Sequence, residues 1–345
     1  MFQNGSEALR LALPSDGEMY ESTLNFFKEC GMGVNRGNSR QYTGKISAVP
    51  GVQVLFQRVA DITSKVEEGS ADIGVVGLDR YSEGHVDDGD ATVVYEDLAY
   101  SQCELVLAVP QAWMDVTEIA DMADLSLEFR EKGRDLRVAT KYPRLTQRYF
   151  FSRGINYFTI VQSSGTLEAA PLMGFADVIV DISATGTTLR ENQLKTIADG
   201  TMLHSQACLI GNRRTLAASL AKQETARRIV ERMEGYLEAR HYFSITANVR
   251  GESPERVAHA ILERKDLAGL KGPTVAQVYT PEGDDWYAVT VVVPQERLQD
   301  ALDYLRDIGG IGITVLQARY VYHGASPVFQ RLQQTLRGKG ISTAP

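Results

Sequence analysis

The stretch VIVDISATGTTLRENQL, Val178 to Leu194, carries the densest chemistry in the chain. The apolar run Val178–Val180 reads as a strand that delivers Asp181 to a carboxyl edge, and in open α/β sheets ligands sit outside such edges. Ser183, Ala184, Thr185, Gly186, Thr187 and Thr188 follow, and a helix is expected from Thr187 to Gln193. Successive backbone N–H groups and hydroxyls at a helix start offer unpaired donors and partial positive charge, which suits a phosphate. Gly186 would let the backbone approach that phosphate closely. A carboxylate beside a phosphate cradle needs something non-anionic on the same ligand. Ribose hydroxyls meet that need, and so does a magnesium ion. The combined expectation is a pocket for a sugar 5-phosphate. A plain capped helix after a strand is the alternative, because Ser and Thr cap helices generally.

The elements that must position these residues follow from hydrophobic patterning. Strands are expected at Leu9–Leu13, Gln53–Phe56, Ile73–Gly77, Leu105–Pro110, Leu136–Ala139, Tyr157–Val161, Val178–Val180 and Ala207–Ile210. Helices are expected at Tyr20–Cys30, Val59–Glu68, Leu145–Arg153 and Thr187–Gln193. The alternation predicts an α/β class with largely parallel sheet. A long helix rich in Ala, Glu and Arg, Thr215 to Arg240, reads as a connector. After it the order strand, helix, strand, strand, helix, strand is that of a ferredoxin-like βαββαβ domain. Its helix at SPERVAHAILE has Ser253 as cap and Pro254 in the first turn. A tail from 326 to 345 closes the chain, with one short helical pattern.

Composition narrows the classes. The 345 residues suffice for two or three domains, with 43% hydrophobic and 23% charged residues. No apolar run approaches the ~20 residues that span a bilayer, and Met1–Arg10 lacks a signal pattern. The expectation is a cytoplasmic protein without a membrane partner. A net charge of −8 with no basic stripe argues against nucleic acid. Five scattered histidines and three separated cysteines, Cys30, Cys103 and Cys208, fit reduced thiols better than a zinc site or disulfide frame. GMGVNRG (Gly31–Gly37) follows a helix and has the wrong spacing for a dinucleotide loop. GNSRQYTGK (Gly37–Lys45) fails as a Walker loop by spacing and by Ile46 where Ser or Thr is needed. HVDDGD (His85–Asp90) lacks calcium-loop spacing and reads as a solvated acidic turn.

Beyond these readings, EAAPLMGFADVIVDISATGTTL sets Glu168, Gly174, Ala176, Ile179, Asp181, Thr185, Gly186, Thr188 and Leu189 in a pattern that closely resembles the signature of ATP phosphoribosyltransferase, the first enzyme of histidine biosynthesis. ADIGVVGLD (Ala71–Asp79), VATKYPRLTQRYF (Val138–Phe150) and QACLIGN (Gln206–Asn212) are similar to the same family, in the same order. The C-terminal pattern resembles the regulatory domain of its long form. The resemblance implies a two-lobed, periplasmic-binding-protein-like catalytic core. Lobe I would hold residues 1–104 and 195–240, and lobe II, with the phosphate loop, 105–194. The ferredoxin-like regulatory domain would be 241–325.

It further implies ATP and 5-phosphoribosyl 1-diphosphate (PRPP) as substrates, Mg2+ as cofactor, histidine as inhibitor, and a homo-oligomer from dimer to hexamer. Asp181 would bind the PRPP ribose, and Ser183, Ala184, Thr185, Gly186, Thr187 and Thr188 its 5-phosphate. Glu168 would face the ribose or the magnesium diphosphate, so Glu168 and Asp181 are the expected catalytic and metal-binding acids. Asp177, in the strand entry, is expected to be structural. Gly17, Arg40, Arg58, Lys141, Tyr142 and Arg144 are the expected contacts to ATP or diphosphate. For Tyr142 both base stacking and core filling stay open. Arg144 and Arg148 share a helix face and meet either phosphate or solvent. No local motif assigns histidine-binding residues. One departure stands out: the family commonly carries a Lys-Gly-Arg-Leu-like run after the first strand, whereas this chain has PSDGEM, with Asp16 and Glu18 flanking Gly17. Either the phosphate contacts move to Arg36, Arg40 and Lys45, or the nucleotide sits differently. Competing expectations are a two-lobed ligand-binding protein, a prephenate dehydratase, and a non-catalytic regulatory homologue.

Overall fold

The computed structural model describes residues 7–38, 40–162, 166–281 and 283–338. The first residues of the stretch read for a leader, and the end of the 326–345 tail beyond 338, lie outside the described residues. Two compact units divide the chain. One holds 32–227 with 7–28 and 331–338, and the other 228–330 with 29–31.

In chain order the first unit has strands β1 (Leu9–Pro14), β2 (Val34–Asn35), β3 (Thr43–Ile46), β4 (Val52–Gln57), β5 (Ile73–Gly77), β6 (Ala91–Tyr95), β7 (Cys103–Pro110), β8 (Leu136–Thr140), β9 (Phe158–Gln162), β10 (Val178–Ser183), β11 (Leu194–Ser205) and β12 (Ala207–Asn212). Among the described residues they form two sheets, β2-β3-β4-β1-β5-β12-β6 and β11-β7-β10-β8-β9. The expectation of a largely parallel sheet holds only at the centres. β1 pairs parallel with β4 and β5, and β8 parallel with β9 and β10. β12 and β7 lie antiparallel beside them. The edge strands β2, β6 and the long β11, and β3 beside β2, went unpredicted, being polar or half-exposed rather than apolar runs. β11 carries the second sheet to Ser205, opposite Cys103.

The central strands are largely apolar because both faces are covered. β5 is buried along its whole length. In β10 the residues alternate between two cores: Val178 and Val180 join Leu107, Phe150 and Val138 on one face, while Ile179 joins Ala108, Leu167 and Leu189 on the other. The expected connector helix is two helices, Arg213–Ala217 and Leu220–Ala239. The helix after the phosphate-loop candidate is short, Thr187–Glu191.

The second unit runs β13 (Tyr242–Arg250), helix Pro254–Leu262, β14 (Thr274–Thr280), β15 (Gly283–Pro294), helix Leu298–Asp307 and β16 (Ile311–Gln317). Its sheet order is β14-β15-β13-β16, antiparallel throughout. The Ser253 hydroxyl accepts from Arg256 N at 3.3 Å, capping the first helix as expected. Val257, Ile261, Ala301 and Leu305 from the helices pack on Ile245, Val289 and Val291. The last strand stops at Gln317, and Gly309 and Gly312 around its start take φ of 85° and 61°.

Candidate functional site

Two strand ends frame the site. β8 ends at Thr140, where its pairing with β10 also ends, opposite Val180. Asp181 lies just past that end, yet it stays inside β10, paired with Val106 of β7. It is therefore buried, 8% exposed. Its Oδ1 accepts from the N–H of Ile182 at 2.9 Å, and Lys141 Nζ is 3.7 Å from its Oδ2. Burial raises the carboxyl above its ordinary range. Lys141, Arg80 and the Ile182 N–H pull it down in part, and the charge of Glu168 pushes it further up. Glu168 sits half-buried on a single 3-10 turn, Leu167–Ala169.

The loop after β10 is built from its own hydroxyls. Ser183 Oγ accepts from Gly186 N at 3.0 Å, and Thr185 Oγ1 meets Thr187 Oγ1 at 3.0 Å. Gly186 takes φ of 70°, the left-handed conformation that a glycine adopts without strain. Ala184, Thr185, Thr187 and Thr188 are exposed. A helix of five residues adds little macrodipole, so an anion here would be held mainly by N–H groups and hydroxyls.

A cavity of about 500 Å3 opens beside this loop, within the size range of ligand pockets. Ala184 and Ile182 line one side, Asp79, Arg80 and Tyr142 another, and Asp16, Gly17 and Glu18 a third. The acidic residues of the PSDGEM loop thus line the cavity. Gly17 has φ of 76° and precedes the helix Glu18–Glu29.

The remaining expected contacts divide. Tyr142 reaches the cavity but is 0% exposed: its hydroxyl donates to Asp79 Oδ2 at 2.6 Å, and the Arg80 guanidinium lies 4.4 Å from its ring centre. Its ring packs into the core and forms part of the cavity wall. Arg144 points to Asp87 at 3.2 Å, and Asp90 pairs with Arg214 at 2.9 Å, so the acidic turn is tied down rather than merely solvated. Arg40 and Arg58 are exposed. Arg36 donates to Gln41 O at 2.8 Å and stacks over Phe56 at 4.1 Å. Asp177 is held by Arg134 at 2.7 Å and by Arg137 at 3.0 Å, in a structural role as expected. Among the described residues no group of three or more His, Cys, Asp or Glu is arranged to hold a metal. Glu168 and Asp181 alone still fit Mg2+, which takes one or two carboxylates plus phosphate oxygens.

Sequence reasoning missed Asp79. It is 5% exposed and receives Ser205 Oγ at 2.7 Å as well as Tyr142. The signal was present: an acid two residues past the buried strand β5, much as Asp181 follows the buried run of β10.

The architecture is an α/β catalytic-type core followed by a distinct C-terminal β-rich domain. A family model described as ATP phosphoribosyltransferase matches residues 58–235, and one described as HisG, C-terminal domain, matches 239–320. The chain is 37% identical over 338 residues to "ATP phosphoribosyltransferase 2, chloroplastic" of Arabidopsis thaliana, covering 96% of this chain and 81% of that protein. It is 33% identical over 334 residues to "ATP phosphoribosyltransferase" of Bradyrhizobium sp. (strain ORS 278), covering 96% and 99%. Among solved structures it resembles "ATP phosphoribosyl transferase (HisG:HisZ) complex from Thermotoga maritima", with a TM-score of 0.51 and 25% identity over 65% of this chain and 96% of that one. The chain therefore belongs to the ATP phosphoribosyltransferase family, in its long form. Among the described residues no helix is long and apolar enough to cross a membrane.

Proposed function

We propose that the protein joins ATP to PRPP, adenine N1 attacking the ribose anomeric carbon as diphosphate leaves. One observation carries the reading: a buried carboxylate, Asp181, faces Lys141 at 3.7 Å and leads into a loop of exposed hydroxyls whose Ala184 lines a ligand-sized cavity. Residues 183–188 would hold the 5-phosphate, with Thr185, Thr187 and Thr188 adding hydroxyls. Asp181 would accept from the ribose hydroxyls. Bond breaking builds positive charge on the ribose, and Asp181 and Glu168 supply fixed negative charge for it. Lys141 would offset the phosphate charge that gathers as two polyanions meet. Glu168 and Asp181 would hold magnesium, which neutralises the diphosphate when bound. Gly17, Arg40 and Arg58 remain assigned to the nucleotide side, and Arg144 to a contact reached only if Asp87 releases it.

In this reading residues 105–194, carried on to Ser205 by the last strand of their sheet, form the PRPP lobe. Residues 7–104, with the return up to 240, form the nucleotide lobe, in a periplasmic-binding-protein-like pair. Residues 241–325, ferredoxin-like in element order, would bind histidine and inhibit, in a dimer or hexamer. End-product feedback of this kind is a coupling between sites of typically ~1–3 kcal/mol. The test is direct: protein, ATP, PRPP and magnesium should generate phosphoribosyl-ATP absorbance that histidine suppresses, and no absorbance change would reject the reading. A second reading, a non-catalytic homologue, is favoured by Asp16 and Glu18 at the cavity. PRPP binding without turnover would select it.

A further inference from the structure

Lys141 occupies a single-residue junction between β8, ending at Thr140, and the helix Pro143–Ser152, whose cap is Tyr142. Much of what fixes that junction from outside comes from one short segment after β5. Tyr142 Oη donates to Asp79 Oδ2 at 2.6 Å. Glu83 receives the backbone N–H of Arg144 on one carboxylate oxygen at 2.9 Å and that of Leu145 on the other at 3.0 Å. Asp87 takes the Arg144 guanidinium at 3.2 Å. The acids at 79, 83 and 87 thus recur every four residues and grip the start of one helix. Asp79 is itself anchored, since its N–H donates to Ser205 Oγ at 2.9 Å and that hydroxyl donates back to Oδ1 at 2.7 Å. The clamp therefore joins the first sheet, through the helix Leu78–Gly84, to the second sheet at two places.

From this geometry we infer that Asp79 and Glu83 are positioning residues that set the Lys141 ammonium against Asp181. The inference rests on the sugar-phosphate reading of Asp181. Lys141 Nζ stands 3.7 Å from Asp181 Oδ2, near the outer limit of an ion pair. A shift of an ångström in the junction would make or break that contact, and errors of that size cost about 100-fold in well-positioned sites. Tyr142 and Glu83 never need to touch substrate to act this way.

The test uses the full-length protein. Tyr142→Phe removes one hydroxyl and keeps the ring, and Glu83→Gln leaves only one acceptor for two N–H groups. Each should lower kcat/KM for PRPP about tenfold while the KM for ATP moves less than twofold. In a Lys141→Met background, adding Tyr142→Phe should cost less than a further twofold, because residues acting through one partner are non-additive. A further tenfold loss would overturn the inference. A second readout needs no turnover: with lysines reductively methylated using 13C, the Lys141 resonance, assigned by its loss in Lys141→Met, should move in both variants. An unmoved resonance in both would also overturn it. Should Tyr142→Phe fail to fold, Glu83→Gln carries both readouts. Failure of the underlying functional reading would show separately, as wild-type protein that neither binds nor turns over PRPP.

Discussion

Asp177 and Asp181 stand four residues apart, at the entry and near the exit of β10, each 8% exposed. At the entry, Arg134 and Arg137 crowd one carboxylate, and the Arg137 N–H adds a bond at 2.8 Å. Burial alone would raise Asp177, but those hydrogen bonds outweigh it and hold the group below the usual carboxylate range. At the exit, Asp181 has one neighbouring N–H and a lysine at 3.7 Å, and burial wins, lifting it above that range. Equal exposure, denser surroundings at Asp181 and unequal pairing together separate a carboxylate that holds the fold from one kept available for a ligand. The buried, underpaired end is where a function is to be sought.

The largest expected effect breaks the exit side. Asp181→Asn should lower kcat/KM for PRPP by about 100- to 1000-fold, a loss of roughly 3–4 kcal/mol of transition-state stabilisation. Its melting temperature should hold or rise. A carboxyl whose folded pKa is raised contributes stability only below its unfolded value, near ~4, and loses it as pH rises through the folded one. The ionised group is therefore a burden at neutral pH, and a calorimetric scan showing clear destabilisation would contradict this.

On the entry side, Asp177→Asn should cost about 2–3 kcal/mol of stability at neutral pH, measured by urea denaturation, with kcat retained within threefold. The sign of its pH dependence is opposite. Because the folded pKa is depressed, the stabilisation is present above ~4 and disappears as pH falls through the folded value, so wild type and variant should converge in acid.

A smaller effect concerns the loop. Gly186→Ala places a side chain at φ of 70°, 3.1 Å from Arg190 Nη1. About 1–2 kcal/mol of strain and a raised KM for PRPP should follow, measured by denaturation and initial rates. The smallest sharpens the nucleotide side: Glu18→Arg should lower the KM for ATP a few-fold, and an unchanged KM would show that this rim of the cavity does not meet the triphosphate.

What the sequence made legible follows the same division. Buried runs such as IGVVG and VIV (Val178–Val180) announce their strands, because strands covered on both faces are largely apolar, whereas the polar end Asp181–Ser183 of β10 went unannounced. Ser253 and Pro254 announce their helix, since capping is local. Short peripheral strands such as Thr43–Ile46 were invisible, being half-exposed and polar. The break between Ala217 and Leu220 was hidden by a run of good helix formers. At the site, Asp181 and the 183–188 loop were readable as one contiguous stretch. The clamp of Asp79, Glu83 and Ser205 on Tyr142 and Leu145 was not, because its partners lie 61 to 126 residues apart. Tyr142 could be read either as a stacking ring or as core, and only the fold brings Arg80 over its ring and Asp79 to its hydroxyl.

The central claim is that Asp181 and the loop after it grip PRPP. A crystal of the wild-type protein soaked in PRPP tests it most directly. The account predicts the 5-phosphate on the N–H groups and hydroxyls of residues 184–188, with the ribose hydroxyls on the Asp181 carboxylate. PRPP bound elsewhere, or with its diphosphate rather than its 5-phosphate in that loop, would contradict it.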